Sequence, residues 1–374
     1  MREYLFIVIV AAIVTYAATP LLRSVAVRLR AFTPVRDRDV HSHPIPRLGG
    51  VSMFLGFAAA TLVASVLPFS RQMFNGPELR GVLIGGAIVC LVGAIDDVRE
   101  LDWMIKLAGQ LLAAGIMAFQ GVQLFSIPLG ETVVLPAPLL IALTIFFVIL
   151  ATNAVNFVDG LDGLATGIVA IAAVSFFGYA YLIARSYSPP NVFTSAAFIS
   201  AALVGVCLGF LPHNFHPARI FMGDSGALFL GLLLAAAMIS ITGTITGSEV
   251  STNPVSAFVL PLVVPFSILL LPVLDVVLAV IRRTRRGQSP FKPDAQHLHH
   301  RMLMWGHGHR RAVLLLWFWA AVAAFGSVSF VFLPPQPAVG LVLAMAALAG
   351  FLTFWLPRAT IAGRAPADLG PDSP

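Results

Sequence analysis

Long hydrophobic runs alternate with short polar segments along nearly the whole chain. A run of about 20 apolar residues is long enough to cross the hydrocarbon core of a bilayer as a helix. The pattern therefore predicts an all-α, polytopic integral membrane protein with eleven transmembrane helices. The predicted spans are Leu5–Leu22, Gly49–Pro68, Gly81–Ile95, Trp103–Gln120, Ala137–Thr152, Leu164–Ala184, Val192–Leu211, Ala227–Thr246, Ser256–Ile281, Ala312–Leu333 and Ala338–Leu356.

Composition excludes a soluble globular protein. Of the 374 residues, 58% are hydrophobic and only 11% are charged, and the mean hydropathy is +0.91. A chain with so little polar surface cannot cover itself in water. We predict one transmembrane domain over residues 1–356 and a short disordered cytosolic tail over residues 357–374. The first apolar run could be a signal peptide, but its length and the basic loop after it favour a transmembrane helix.

The distribution of basic residues predicts the orientation, because Lys and Arg are enriched in cytosolic loops. With the N-terminus outside, all 23 Lys and Arg residues fall on the cytosolic side except Arg2, Arg71, Arg80 and Arg185. An odd number of spans then places the C-terminus in the cytosol. All nine His residues fall on the same side. Transporters keep ionisable groups near the bilayer midplane, so reactive groups at one membrane face favour an enzyme.

A polar stretch, Asn153–Gly167, separates the fifth and sixth predicted spans. Within it, Asn153, Asn156, Asp159 and Asp162 recur every third residue, so they lie near one face of a helical or 3₁₀ turn. Polar groups between two hydrophobic spans are costly unless they bind a ligand or face water. The stretch is therefore a candidate binding site, although a solvated loop capped by Asn and Asp gives the same pattern.

Three further carboxylates are candidates for a cation site. Asp96 and Asp97 end the third span, and adjacent carboxylates repel each other, so a cation or a shared proton is expected there. Asp224, in F-M-G-D-S-G, either completes that site or N-caps the eighth helix. Oxygen ligands of this kind suit Mg²⁺, with Mn²⁺ as a substitute. A solvated helix end, with Asp97 paired to Arg99, would also explain the adjacent acids.

Basic and aromatic residues near the same face could bind phosphate, sugar or base. Lys106 begins the fourth span, where it could meet a phosphate or extend to the membrane interface. Phe221 could stack on a nucleobase, although aromatic residues are common near membrane surfaces. A histidine cluster in the loop after the ninth span could donate hydrogen bonds to phosphate or sugar oxygens. Zinc is disfavoured there, because no Cys or nearby Glu supplies a further ligand. The cluster consists of His297, His299, His300 and Arg301.

Taken together, these motifs resemble the polyprenyl-phosphate N-acetylhexosamine-1-phosphate transferase family, integral membrane enzymes that start cell-wall and surface-polymer synthesis. The resemblance runs from H-P-I-P-R-L-G-G through D-D-V-R-E-L-D and N-A-V-N-F-V-D-G-L-D-G to F-M-G-D-S-G and H-L-H-H. The last motif resembles the branch that transfers N-acetylglucosamine (GlcNAc) 1-phosphate. The branch that uses UDP-MurNAc-pentapeptide usually has three consecutive His, which Leu298 interrupts here. CDP-alcohol phosphotransferases also use a D-G motif but need an Ala-Arg pair, whereas Thr166 follows Ala165.

The resemblance implies transfer of GlcNAc-1-phosphate from UDP-GlcNAc to decaprenyl or undecaprenyl phosphate, with release of UMP. The implied location is the inner (plasma) membrane, with the active site facing the cytosol. Two alternatives stay open: a phospho-MurNAc-pentapeptide transferase, and a transporter of nucleotide sugars or lipid-linked sugars. Membrane lipids are expected partners, and nucleic acid is not. The oligomeric state stays open, and a homodimer is one of the possibilities.

The resemblance also implies roles for individual residues. Mg²⁺ and the pyrophosphate would lie at Asp97, Asn156 and Asp224. Asp96 would receive the lipid phosphate, as its base or only to orient it. Asp159 and Asp162 belong to the nucleotide-sugar loop, with Asp162 near the uracil and Phe221 stacked on it. The implied catalytic residues are Asp96, Asp97, Asp159 and Asp162, and the implied substrate-binding residues are Lys106, Asn153, Asn156, Phe221, His297, His299, His300 and Arg301.

Overall fold

The computed structural model describes residues 1–33, 44–124, 127–129, 131–133, 136–186, 193–242, 281, 284–285, 302, 305 and 307–355. In this part of the chain, nearly all regular structure is helical. A 3₁₀ helix spans Arg71–Phe74, and the short strands Ile127–Leu129 and Glu131–Val133 pair antiparallel. The α-helices are α1 (Arg2–Arg28), α2 (Gly49–Val66), α3 (Glu78–Arg99), α4 (Trp103–Phe119), α5 (Ala137–Val158), α6 (Leu164–Ser186), α7 (Ser195–Asn214), α8 (Gly223–Thr242), α9 (His309–Phe332) and α10 (Pro335–Phe354).

The helices confirm the predicted class, an all-α polytopic membrane protein. Among the described residues, 9 helices are long and apolar enough to cross a membrane, and α4 is a shorter apolar helix of 17 residues. The predicted span Ser256–Ile281 falls almost entirely outside the described residues, so the count of eleven stays a prediction. The predicted tail over residues 357–374 also lies outside them.

A tight turn between α3 and α4 brings the third and fourth helices side by side. Glu100 adopts a left-handed conformation with φ of 48° and ends α3. The side chain of Asp102 then accepts a hydrogen bond from the backbone N–H of Met104 at 2.8 Å and caps α4. The turn therefore places the last residues of α3 next to the first turn of α4, where Asp96 and Lys106 lie.

Helix α8 lies at the centre of the fold, with 89% of its most apolar window buried. It packs against α2, α3, α5 and α7. Its first turn approaches the neighbouring backbones closely: a Cβ added to Gly50 on α2 would collide with Gly226, and one added to Gly93 on α3 would collide with Ser225. Glycine at these two positions therefore lets the start of α8 pack backbone to backbone between α2 and α3.

Candidate active site

The carboxylate of Asp97 on α3 caps the start of α8 from a different helix. Asp97 is 5% exposed, and its Oδ1 accepts a hydrogen bond from the backbone N–H of Asp224 at 2.9 Å. Its Oδ2 accepts from the backbone N–H of Ser225 at 3.2 Å and from the Ser225 hydroxyl at 2.8 Å. A helix N-terminus carries unpaired N–H groups and partial positive charge, so a carboxylate stabilises it. Asp224, in the first turn of α8, is therefore not the N-cap.

Gly223 makes this contact with Asp97 possible. It has a φ of 67°, which L-residues with side chains rarely adopt. A Cβ at this position would also collide with the carboxylate of Asp97. The G-D-S-G sequence thus bends the chain into α8 and leaves space for an acid from α3.

A salt-bridge cluster lies beside this cap. The ammonium of Lys106 on α4 is 3.2 Å from Asp96 Oδ2 on α3 and 3.1 Å from Asp224 Oδ2 on α8. Asp96 Oδ1 accepts from the backbone N–H of Leu101 at 2.7 Å. The amide of Asn156 on α5 donates to Asp224 Oδ1 at 3.1 Å. Four helices thus bring three predicted acids, the predicted lysine and the predicted asparagine to one place.

Asp159 follows directly after α5, outside the helical span. Burial raises the pKa of its carboxyl to about 7, and the nearby charges of Asp224 and Asp97 act in the same direction. Arg47 partly opposes this rise. Asp159 therefore lies close enough to the cluster for the charges of Asp224 and Asp97 to act on its carboxyl.

Asp162 belongs to a second network, which joins the loop after α5 to the α7–α8 loop and to α9. Asp162 is 1% exposed, and its Oδ2 accepts from the backbone N–H of Ala218 at 3.0 Å and lies 2.8 Å from His216 Nδ1. The His309 ring stacks on the His216 ring with centroids 4.1 Å apart. Arg310 Nε donates to the His216 carbonyl at 3.2 Å. Asp162 therefore holds the loop in place. Asp162, His216 and His309 each also offer one ligand atom, and these atoms lie within 4.8 Å of one another, so the three side chains could hold a metal ion.

The remaining predicted residues have different surroundings. The Asn153 amide donates to Gln110 Oε1 on α4 at 2.7 Å, so it joins α4 to α5. Phe221 is partly exposed, and its backbone N–H donates to the Pro46 carbonyl at 2.9 Å, which joins F-M-G-D-S-G to H-P-I-P-R-L-G-G. The predicted cluster His297, His299, His300 and Arg301 lies outside the described residues.

Comparison with known proteins gives the family. The chain is 42% identical to a decaprenyl-phosphate N-acetylglucosaminephosphotransferase of Mycobacterium tuberculosis over 358 residues, which cover 94% of this chain and 89% of the relative. Residues 79–242 match the family model described as glycosyl transferase family 4. The chain belongs to glycosyl transferase family 4. This confirms the resemblance to polyprenyl-phosphate N-acetylhexosamine-1-phosphate transferases.

Other relatives in the family are named either as N-acetylglucosaminyl 1-phosphate transferases or as phospho-N-acetylmuramoyl-pentapeptide-transferases. A probable undecaprenyl-phosphate N-acetylglucosaminyl 1-phosphate transferase of Bacillus subtilis is 30% identical over 83% of this chain and 80% of its own length. A phospho-N-acetylmuramoyl-pentapeptide-transferase of Desulforudis audaxviator is 32% identical over 91% and 96%. The segment that matches the glycosyl transferase family 4 model begins with α3 and ends with α8, so it contains the whole salt-bridge cluster.

Sequence reasoning missed two residues of the second network, His216 and His309. Both appeared only among the histidines predicted to lie on the cytosolic side. His216 stands in N-F-H-P-A-R, just before the F-M-G-D-S-G motif, and that position is the one local signal it carries. Nothing in the sequence links it to Asp162, which lies 54 residues earlier.

The salt-bridge cluster is suited to bind a cation and anions together. The carboxylates of Asp96 and Asp224 already share the ammonium of Lys106, so the space between them accepts positive charge. Carboxylate and amide oxygens are the ligand types of hard divalent cations. The residues present therefore fit a magnesium-type ion, and the lysine offers a contact for phosphate.

Proposed function

We propose that this member of glycosyl transferase family 4 transfers GlcNAc-1-phosphate from UDP-GlcNAc to a polyprenyl phosphate. The products are polyprenyl-diphospho-GlcNAc and UMP. Support comes from the names of relatives that align over most of the chain, such as the decaprenyl-phosphate transferases of Mycobacterium tuberculosis and Mycobacterium leprae, each 42% identical. The observation that carries the proposal is the convergence of Asp96, Asp97, Lys106, Asn156 and Asp224 from four helices.

The reaction joins two anions, so its main physical demand is control of charge. A phosphate oxygen of the lipid attacks the β-phosphorus of UDP-GlcNAc, and the bond between that phosphorus and the UMP oxygen breaks. Lys106 supplies a positive charge for the diphosphate, and the four helices hold it in a fixed position. Mg²⁺ bound here would neutralise phosphate charge and orient both substrates.

We further propose that Asp224 and Asn156 hold the Mg²⁺ and that Asp97 acts by positioning Asp224. The cap explains this division of roles: both oxygens of Asp97 accept hydrogen bonds from the first turn of α8. The other oxygen of Asp224, Oδ2, contacts the ammonium of Lys106 at 3.1 Å. In this assignment Asp97 does not itself bind the metal, whereas the sequence-based expectation placed the metal at Asp97, Asn156 and Asp224.

Asp96 serves in this proposal to orient the acceptor through Lys106 rather than to remove a proton. A phosphomonoester is already largely dianionic at neutral pH, so a base would add little. Asp159 and Phe221 would line the nucleotide side of the site. Asp162 would hold in place the loop that carries Asp159. The site would face the cytosol of the inner (plasma) membrane, as the distribution of basic residues predicts.

The proposal is tested by measuring UMP release from UDP-GlcNAc by the purified protein. UMP should appear only when decaprenyl or undecaprenyl phosphate and Mg²⁺ are both present, and EDTA should stop it reversibly. The Asp224→Asn variant is the matched control for contaminating hydrolases. Competition with UDP-GalNAc and UDP-MurNAc-pentapeptide identifies the sugar. Nucleotide-sugar flux in proteoliposomes without UMP release would instead support the transporter and end the proposal.

A further inference from the structure

The position of Lys106 carries an inference about the order in which ligands bind. Its ammonium lies between Asp96 Oδ2 and Asp224 Oδ2, at 3.2 and 3.1 Å. The lysine side chain is 29% exposed, whereas those of Asp96 and Asp224 are 8% and 22% exposed. An ion pair this far out of water is weakly screened. Lys106 therefore holds both acids firmly while no other cation is present.

Most carboxylate oxygens beside Asp224 Oδ2 already accept hydrogen bonds, so few of them are available to a metal ion. The oxygens of Asp97 accept hydrogen bonds from Asp224 and Ser225, and Asp224 Oδ1 accepts from Asn156. Mg²⁺ would need to come within about 2.1 Å of Asp224 Oδ2. That oxygen is also the one that Lys106 contacts, and two cations so close together repel each other.

We propose that Lys106 is a resident cation that keeps the metal-binding carboxylate of Asp224 occupied until the diphosphate of the nucleotide sugar arrives. The diphosphate then offers the ammonium a new anionic partner, and Asp224 Oδ2 becomes free for the divalent ion. This inference rests on the proposed function, because it takes the diphosphate as the ligand. Its consequence is that the metal and the nucleotide bind cooperatively.

Thermodynamic linkage makes this consequence measurable in both directions. If the diphosphate raises the affinity for the metal, the metal raises the affinity for the diphosphate by the same factor. A lysine that only contacts phosphate would behave differently, because its removal would weaken nucleotide binding and leave the metal affinity unchanged. The distinguishing sign is a gain in metal affinity when the positive charge is removed.

The experiment measures binding of Mn²⁺, which suits the same oxygen ligands and is detected by electron paramagnetic resonance. Wild-type protein and the Lys106→Met variant are titrated with Mn²⁺ alone, with uridine and with UDP. Because UDP itself binds Mn²⁺, each titration is repeated without protein and with the Asp224→Asn variant. Arg99→Met is the matched control, because Arg99 is an exposed cation at the same end of α3.

We expect UDP, but not uridine, to raise the Mn²⁺ affinity of the wild type by at least about fivefold. Lys106→Met should bind Mn²⁺ alone at least about fivefold more tightly than the wild type, and UDP should add little. Arg99→Met should behave like the wild type. The inference is overturned if folded Lys106→Met protein has wild-type Mn²⁺ affinity, or if UDP still raises that affinity as strongly.

Two further measurements keep the result unambiguous. Lys106→Gln carries the same test if thermal unfolding shows that the Met variant is not folded. UMP release by the wild type is measured in the same preparation. If the wild type turns over UDP-GlcNAc and Lys106→Met does not gain Mn²⁺ affinity, only this inference fails. If the wild type releases no UMP, the proposed function fails whatever the Mn²⁺ titrations show.

Discussion

Both oxygens of Asp97 accept hydrogen bonds from the first turn of α8, so this one side chain sets where Asp224 lies. An asparagine at the same place has the same shape but presents an NH₂ group to one of these donors. We therefore expect Asp97→Asn to lose about 1–3 kcal/mol of stability, the cost of a buried donor without a partner. It should also lose nearly all UMP release, because Asp224 is no longer held in place.

Asp224→Asn is the comparison for this prediction. It should abolish UMP release while the thermal unfolding midpoint in detergent stays close to that of the wild type, because Asp224 is the more exposed of the two acids. Unfolding midpoints and UMP release are measured on both variants. Equal stability of Asp97→Asn and the wild type would contradict the positioning role of Asp97.

Gly223 gives a second prediction at the scale of a residue. Gly223→Ala forces a φ of 67° on a residue with a side chain and places its Cβ against the carboxylate of Asp97. We expect at least about 1 kcal/mol of destabilisation and a large loss of UMP release. Gly115→Ala on α4 is the control, because a Cβ there meets nothing within 4 Å. The result that would count against this is a Gly223→Ala enzyme as stable and active as the Gly115→Ala enzyme.

At the scale of helices, hydropathy predicted the described elements well and their ends less well. Each of the predicted spans outside Ser256–Ile281 corresponds to a helix. The fifth span was predicted to end at Thr152, whereas α5 continues to Val158 and carries Asn153 and Asn156. The predicted span ended before Asn153 and Asn156 because burying an amide side chain without a hydrogen-bond partner is costly.

The structure removes that cost by pairing the polar residues across helices. Asn153 bonds to Gln110, and Asn156 bonds to Asp224, which lies 68 residues away in sequence. The types of the candidate residues and their place at helix ends could be read from the sequence. Their partners could not, because no local pattern shows that Lys106 contacts an acid 118 residues later.

The loops at the helix ends give a prediction about His216, which lies 2.8 Å from the buried carboxylate of Asp162. Removing the imidazole leaves that carboxylate with fewer partners and loosens the loop after α5. We expect His216→Ala to raise KM for UDP-GlcNAc by about tenfold, the equivalent of one hydrogen bond to a charged group, with a smaller change in kcat. Steady-state rates of UMP release give both constants.

The conservative variant separates positioning from general damage. His216→Asn keeps a hydrogen-bond donor near the Nδ1 position and should restore part of the lost affinity. His309→Phe keeps a ring on which His216 can stack. It should therefore raise KM for UDP-GlcNAc less than His216→Ala does. A loss in kcat alone, with KM for UDP-GlcNAc unchanged, would argue that Asp162 and His216 do not support the nucleotide loop.

At the scale of the whole molecule, the site exists because several helices end at one level. Helices α3 and α5 contribute their last turns, and α4 and α8 contribute their first turns. In a chain that alternates direction, ends of this kind meet at one membrane face. The architecture therefore accounts for motifs that are far apart in sequence and share one site.

That arrangement predicts which face is cytosolic. Arg99 is exposed at the end of α3, near the salt-bridge cluster, and Gln72 is exposed in the 3₁₀ helix that precedes α3. The 22 residues of α3 extend about 33 Å, so the two positions should lie on opposite sides of a bilayer. Since basic residues favour the cytosol, we expect Gln72 outside and Arg99 inside.

Thiol labelling of intact cells tests the prediction, and the native Cys90 and Cys207 are buried, so the background is low. A membrane-impermeant maleimide should label Gln72→Cys in intact cells and Arg99→Cys only after the membrane is opened. The same substitutions in a permeabilised sample control for accessibility, because both should then react. Labelling of Arg99→Cys in intact cells would place the cluster outside, away from cytosolic UDP-GlcNAc, and the proposed reaction could not occur there.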